Sequence, residues 1–214
     1  MPISIKKDFV LRVIIIVFSI FYFSIFNIAQ CSAKKDIVDS LNQVIEETNN
    51  PDVLVKSYAK LCWSKRSSDP ENAIIFGNKA LQIIDNKPSL DSLKPEVLNY
   101  LGVVYRNKGD YMIAMNYYQD ALALSTKQKN HIQIAYSNNN LGGIATLKGD
   151  YFNAVKYLEK AHYFFKISKD TAGMAYVAIN LGNLYRHNSY MSDAIDYFDQ
   201  AILYKKAIHD SIGL

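Results

Sequence analysis

Three segments of the chain repeat one another at a constant spacing. They begin at residues 101, 141 and 181 and read LGVVYRNKGDYMIAMNYYQDAL, LGGIATLKGDYFNAVKYLEKAH and LGNLYRHNSYMSDAIDYFDQAI. Five columns are identical in all three: Leu101, Leu141 and Leu181; Gly102, Gly142 and Gly182; Ala114, Ala154 and Ala194; Tyr117, Tyr157 and Tyr197; Ala121, Ala161 and Ala201. This internal repeat predicts a stacked array of identical units.

Each unit reads as two amphipathic helices joined by a tight turn. In the unit that starts near residue 95, "NKGD" ends the first helix, with Gly109 as the left-handed residue and Asp110 as the next cap. The second helix has a small and aromatic face, and the glycine column admits a close helix neighbour. The predicted helix pairs are 53–86, 95–127, 131–168 and 171–208.

This pattern resembles the tetratricopeptide repeat family, whose units carry Leu-Gly-x-x-Tyr and then Ala-x-x-x-Phe. The matching motifs are Leu101-Gly102-x-x-Tyr105, Leu181-Gly182-x-x-Tyr185, Ala114-x-x-x-Tyr118 and Ala194-x-x-x-Phe198. The resemblance implies an all-α, right-handed solenoid over residues 53–214, with units at about 53–90, 95–130, 131–170 and 171–210. Residues 34–52 read as an N-terminal capping helix. The family's tryptophan and terminal proline are absent, and its usual period is about 34 residues, which makes this a long-period variant.

Residues 1–33 read as a targeting segment. Lys6, Lys7 and Arg12 precede a continuous apolar run from Val13 to about Phe26, which is typical of a secretory signal peptide. An uncleaved signal anchor stays open, because about 17 residues can just span a bilayer. We expect the chain after position 33 to be exported in a bacterial cell, periplasmic or anchored to the membrane and facing the extracytoplasmic side.

The two cysteines have different expected roles. Cys31 lies in "IAQC", which loosely resembles the acylation motif of bacterial lipoproteins, although Gln30 departs from it. Cleavage after Ala33 is the alternative. Cys62 occupies the glycine column of the repeat and is therefore expected to be a small buried core residue.

Motifs for catalysis are missing from the chain. His131, His162, His187 and His209 have no second histidine or cysteine at metal-ligand spacing, and no Gly-rich phosphate loop is present. Without positions 1–33 the chain has 21 basic and 19 acidic residues, which gives no reason to expect a nucleic-acid partner. The sequence thus predicts a non-enzymatic protein with no cofactor and no metal.

The first helix of each unit carries polar side chains where the resemblance implies a concave groove. An asparagine amide both donates and accepts, so it can hold the backbone of an extended peptide. Aromatic and arginine side chains would add anchors and charge. The expected peptide-binding residues are Asn99, Tyr100, Arg106, Tyr136, Asn139, Asn140, Tyr176, Asn180, Asn183 and Arg186. Hydrogen bonding between repeats, without a ligand, is the alternative.

The end of the sequence resembles a junction between units. "KDTAGM" at 169–174 is followed one repeat period later by "HDSIGL" at 209–214, so we expect a fifth unit to begin there. The uncovered last repeat is then expected to favour self-association. The layout resembles the exported sensory region of bacterial tetratricopeptide-containing signalling proteins; a free-standing exported or lipid-anchored scaffold for envelope complex assembly is the alternative.

Overall fold

The structure, a computed structural model, describes the backbone of residues 37–212 and the side chains of residues 37–208. Every regular element in this part of the chain is helical. The helices are α1 (37–47), α2 (Pro51–Lys65), α3 (Pro70–Asp85), α4 (Lys94–Lys108), α5 (Tyr111–Lys127), α6 (His131–Leu147), α7 (Tyr151–Ile167), α8 (Thr171–His187) and α9 (Met191–Ile212), with a 3-10 segment at Pro88–Leu93. The all-α prediction is confirmed.

The repeats from residue 49 onward form one compact unit. Each odd-numbered helix from α3 to α9 packs against the helix before it, and the first helices α2, α4, α6 and α8 also pack against one another in sequence. This arrangement is a solenoid in which the first helices share one side. The four helix pairs lie within two residues of the predicted bounds, except that α9 continues to residue 212.

The turns inside the last three described units each contain a left-handed residue. Gly109 ends α4 with φ of 89°, and Gly149 takes the same place after α6 with φ of 72°. In the last unit Ser189 occupies this position with φ of 64°. The next helix begins directly afterwards, and the Asp150 side chain accepts a hydrogen bond from the backbone N–H of Asn153.

The glycine column lets the two helices of a unit pack closely. A Cβ on Gly142 would lie 2.7 Å from Leu158 Cδ2, and one on Gly182 would lie 2.6 Å from Phe198 Cε1. Gly102 faces Tyr118 in the same way. The large residue of the Ala-x-x-x-Phe motif therefore fills the volume that the glycine leaves open.

Cys62 is buried in the core, as predicted, beside Ala73 and Leu101. Burial raises the pKa of its thiol to about 12, so the group is a neutral packing residue rather than a reactive thiolate.

Residues up to Thr48 belong to a separate unit, of which α1 is the described part. This helix lies within the segment 34–52, and its capping role stays a prediction. None of the helices in residues 37–212 is long and apolar enough to cross a bilayer. The predicted targeting segment 1–33, with Cys31, and the side chains of the predicted fifth unit lie outside the described residues.

Candidate functional site: a groove across the first helices

A cavity of about 570 Å³ lies along the first helices of all four units. It is open to solvent and is lined only by α2, α4, α6, α8 and the residues that cap them. Its lining combines amides, aromatic rings, carboxylates and guanidinium groups: Trp63, Arg66, Glu96, Asn99, Tyr100, Val103, Arg106, Ile132, Gln133, Tyr136, Asn139, Asn140, Asp170, Ala172, Tyr176, Ile179 and Asn180. Binding sites commonly combine a concave apolar surface with a few polar groups in this way.

This one cavity is lined by eight of the ten residues that the sequence predicted for a peptide-binding groove. They are Asn99, Tyr100, Arg106, Tyr136, Asn139, Asn140, Tyr176 and Asn180. Asn183 and Arg186, on the last turns of α8, are not part of its lining. Asn183 is half-buried and Arg186 is exposed.

The asparagine at the start of the groove is engaged in packing between repeats. Asn99 Nδ2 donates to Gln133 Oε1 at 2.9 Å and to Ser137 Oγ at 3.0 Å. Ser137 also donates to Asn99 Oδ1 at 3.1 Å, in a network that joins α4 to α6. Only 3% of Asn99 is exposed, so its amide is committed to the fold.

The groove asparagines on α6 and α8 differ in whether they are bonded between repeats. Asn180 Nδ2 donates to Asn139 Oδ1 at 2.9 Å and joins α8 to α6. By contrast, the Asn140 side chain lines the cavity and makes no hydrogen bond to any residue that the structure describes. Asn140 is 8% exposed, and neither of its side-chain polar atoms is among the fully buried atoms without a partner. Asn140 is therefore the groove asparagine whose amide remains available to a ligand.

Aromatic rings form the apolar part of the groove. Trp63 and Tyr100 have ring centroids 5.0 Å apart, and those of Tyr136 and Tyr176 are 6.4 Å apart. Tyr136 is held by edge-on packing on Phe165, at 4.8 Å between centroids. Tyr176 is 42% exposed, so it offers an accessible ring face to a bound side chain.

One end of the groove is acidic. The Tyr100 hydroxyl donates to Glu96 Oε1 at 2.6 Å, and burial together with the Glu96 charge raises the pKa of Tyr100. Asp170 caps α8 by accepting from the backbone N–H of Gly173 at 2.8 Å. Burial raises the pKa of Tyr136, and the neighbouring Asp170 carboxylate raises it further. Both phenols thus stay protonated and can donate to the carboxylates.

The other end is basic. The Arg66 guanidinium lies over the Trp63 ring, with its central carbon 3.8 Å from the centroid, and it donates to the Trp63 carbonyl oxygen at 2.7 Å. This geometry combines cation–π contact with a fixed orientation. Arg106 approaches from the last turn of α4. Burial lowers the pKa of Arg66, and the nearby Arg106 charge lowers it further.

Several lining residues were missed by the sequence analysis, although the repeat period contains a signal for three of them. Arg66 and Trp63 lie one repeat period before Arg106 and Val103, and Glu96 lies one period before Tyr136. Trp63 and Val103 differ in residue type, as do Glu96 and Tyr136, which hides their equivalence; only Arg66 and Arg106 keep the same residue. Asp170 lies in the "KDTAGM" segment, which the sequence analysis used only as a junction between units.

A metal site is not apparent in the described residues, which contain no group of three histidine, cysteine, aspartate or glutamate side chains suited to a metal ion. The groove can interact with a ligand through hydrogen bonds, aromatic contacts and charged groups. This set of groups suits recognition of a peptide backbone and its side chains.

Comparison with known proteins agrees with the fold. Residues 93–161 match the tetratricopeptide repeat family. The crystal structure of BtubC (BKLC) from P. vanneervenii is similar, with a TM-score of 0.60 and 23% sequence identity over 83% of this chain and 74% of that chain. Comparison with curated protein sequences gives no significant match.

This match and the helical-repeat fold support a tetratricopeptide repeat protein, as the motifs predicted. Tetratricopeptide repeats form protein-interaction scaffolds and are typically non-catalytic. The identity to BtubC is low enough that this likeness supports the fold alone.

Proposed function

We propose that this protein is a non-enzymatic scaffold that binds a protein or peptide partner in the groove along α2, α4, α6 and α8. The observation that carries the proposal is the cavity of about 570 Å³, in which an unengaged amide on Asn140 lies among aromatic rings. Interactions between repeats already satisfy Asn99 and hold Asn139 to Asn180. The groove is therefore preorganised, which lowers the entropic cost of binding.

We further propose that the scaffold works in the cell envelope, as the extracytoplasmic sensing or adaptor arm of a signalling protein. The basic start and apolar run of residues 1–33 support export. The alternative is a free-standing scaffold for envelope complex assembly, exported or anchored by a lipid, and "IAQC" at residues 28–31 favours the lipid anchor.

Site-specific photocrosslinking in a bacterial host tests the groove. A benzophenone amino acid replaces Tyr176, which lines the cavity, and in a matched control it replaces Tyr163, which is 60% exposed on α7 and outside the cavity. We expect a defined crosslinked partner from position 176 and none from position 163. Equal crosslinking from both positions would contradict a groove function.

Export is tested with a reporter that is active only outside the cytoplasm, such as alkaline phosphatase, fused to the end of the full chain. Activity is expected, and removal of residues 1–33 should abolish it. Metabolic labelling with a fatty acid, lost in Cys31→Ser, would favour the lipid-anchored alternative.

A further inference from the structure

The charges in the groove are sorted by sign along the first helices. Glu96 lies in the first turn of α4 and Arg106 in its last turn, ten residues apart, or about 15 Å at 1.5 Å per residue. Asp170 caps the N-terminus of α8, and Arg66 caps the C-terminus of α2. All four side chains line the same cavity. The cavity therefore has an acidic pole, Glu96 and Asp170, and a basic pole, Arg66 and Arg106.

Neither pole is neutralised within the described part of the chain. The ion pairs found there join Lys56 to Asp52, Lys65 to Asp69, Lys94 to Asp85 and Lys108 to Glu71. None of them includes Glu96, Asp170, Arg66 or Arg106. The Lys108–Glu71 pair, at 2.6 Å, shows that this chain does pair charges between repeats.

Helix dipoles give part of the explanation. Carboxylates are favourable at helix N-termini and guanidinium groups at C-termini, which accounts for the sign at each pole. The helix dipoles do not explain why all four charged groups lie in one cavity, where they are half-buried and form no ion pair with a described residue. Like charges held together in one cavity offer a ligand of opposite charge more than one charge-assisted hydrogen bond.

The acidic pole is shaped to receive a cation. The Tyr136 phenol lies near both carboxylates, whose charges together contribute to its raised pKa. Tyr100 donates to Glu96, and the exposed ring of Tyr176 lies beside Tyr136. An ammonium or guanidinium group here would meet two carboxylates and aromatic faces.

The basic pole is shaped to receive an anion. The Arg66 guanidinium is held in place by its stacking on the Trp63 ring and by its hydrogen bond to the Trp63 carbonyl oxygen. Arg106 lies close enough for its charge to lower the pKa of Arg66. Two guanidinium groups that line the same cavity suit a carboxylate, which a guanidinium can bind through paired hydrogen bonds.

Building on the groove function proposed above, we propose that the cavity binds an extended peptide that carries a basic side chain and an acidic group separated by about four or five residues. The basic side chain binds at Glu96 and Asp170, and the acidic group binds at Arg66 and Arg106. The spacing follows from the separation of about 15 Å between Glu96 and Arg106 along the α4 backbone, since an extended chain spans about 3.3 Å per residue. Asn140 holds the peptide backbone between them.

Defined peptides test the spacing. Fluorescein-labelled decapeptides of alanine, serine and one central leucine carry a lysine and a glutamate at separations of two to seven residues, in both orders. Binding to the full chain is measured by fluorescence anisotropy at moderate salt. We expect the dissociation constant at a separation of four or five to be at least tenfold lower than that of the peptide with glutamine at both positions. An amidated and a free C-terminus in place of glutamate show whether the anion is a side chain or a chain terminus.

A charge exchange tests the assignment of the poles. Arg106→Glu should weaken the lysine–glutamate peptide at least tenfold and should strengthen a peptide with lysine at both positions. Arg186→Glu is the matched control, because Arg186 lies two repeat periods after Arg106 in the same column but is exposed outside the cavity. It should change neither affinity. Arg106→Gln, which should weaken only the glutamate-bearing peptide, replaces Arg106→Glu if that variant unfolds.

Three results would overturn the inference. They are equal affinity for charged and uncharged peptides, no preference among separations, and the same response from Arg106→Glu and Arg186→Glu. Equal affinity that is still weakened by Asn140→Ala would leave the groove function standing. An absence of peptide binding together with an absence of crosslinking at position 176 would overturn both proposals.

Discussion

Asn180 and Asn139 are joined across adjacent repeats by a hydrogen bond of 2.9 Å from Nδ2 to Oδ1, and the same Nδ2 lies 3.3 Å from the Asn139 carbonyl oxygen. Asn140, the next residue along α6, has no such partner in the described structure. Two neighbouring amides on one helix therefore have different roles. Both line the cavity, but the Asn139 amide is bonded to the next repeat and the Asn140 amide is not.

We expect Asn180→Ala to lower the free energy of unfolding by about 1 kcal/mol. The substitution removes a bond between repeats and leaves Asn139, which is only 5% exposed, with an unpaired amide. The higher helix propensity of alanine offsets part of the loss. Urea denaturation followed by circular dichroism measures the change, and an unchanged midpoint would show that the bond contributes nothing.

Asn140→Ala should weaken peptide binding without lowering the free energy of unfolding. Since Asn140 makes no hydrogen bond to a described residue, stability should stay the same or rise slightly. Binding of the lysine–glutamate peptide should weaken about 2- to 10-fold, the value of one neutral hydrogen bond. Anisotropy titration of both asparagine variants gives the comparison. A destabilised Asn140→Ala with unchanged affinity would assign this residue to the fold.

The fold could be predicted because its determinants repeat. The Leu-Gly pair recurs at Leu101, Leu141 and Leu181, and packing within a unit depends on contacts between columns, such as Gly142 against Leu158. The turns were visible for the same reason, since Gly109 and Gly149 have the same backbone conformation. Local signals of this kind survive in a single sequence.

The groove could be predicted only in part. The repeat placed Asn139, Asn140 and Asn180 on the first helices, but residue type alone cannot show which amide has a partner, because Asn139 and Asn140 differ only in their direction around α6. Arg66 lies in the first unit, of which the sequence analysis had matched only Cys62 to a repeat column. The separation of charge between Glu96 and Arg106 became visible only when the structure placed both residues in the lining of one cavity.

Gly142 and Gly143 provide a matched pair for the packing of helices within a unit. A Cβ at Gly142 would lie 2.7 Å from Leu158 Cδ2, whereas one at Gly143 meets only the Asn180 amide, at 3.6 Å. Gly142→Leu should therefore overpack the core and lower stability by about 1–3 kcal/mol. Gly143→Ala should be neutral or stabilising by up to about 1 kcal/mol. Thermal melting distinguishes them, and equal effects would contradict the packing described here.

Cys62 should be unreactive in the folded protein. Burial raises its pKa from 9.0 to about 12, so at pH 8 the thiol is neutral as well as inaccessible. In a Cys31→Ser background, we expect a disulfide reagent to label Cys62 only as fast as the protein opens. The neutral thiol favours the folded state below about pH 9, and this contribution is lost as the pH rises towards 12. Rapid labelling of the folded protein at pH 8 would contradict its burial.

Ser189 is the position at which the last described unit departs from the rest. Its φ of 64° is left-handed, and the preceding units place Gly149 and Gly109 there. A residue with a side chain pays about 1–2 kcal/mol to adopt this conformation. Replacing it with glycine removes that cost, but glycine loses more conformational entropy on folding, which offsets part of the gain. Ser189→Gly should therefore raise the free energy of unfolding by about 0.5–1 kcal/mol, and Gly149→Ser should lower it by a similar amount. Urea midpoints of the two variants measure both changes, and an effect of the same sign in both would show that the turn conformation does not control the stability of these units.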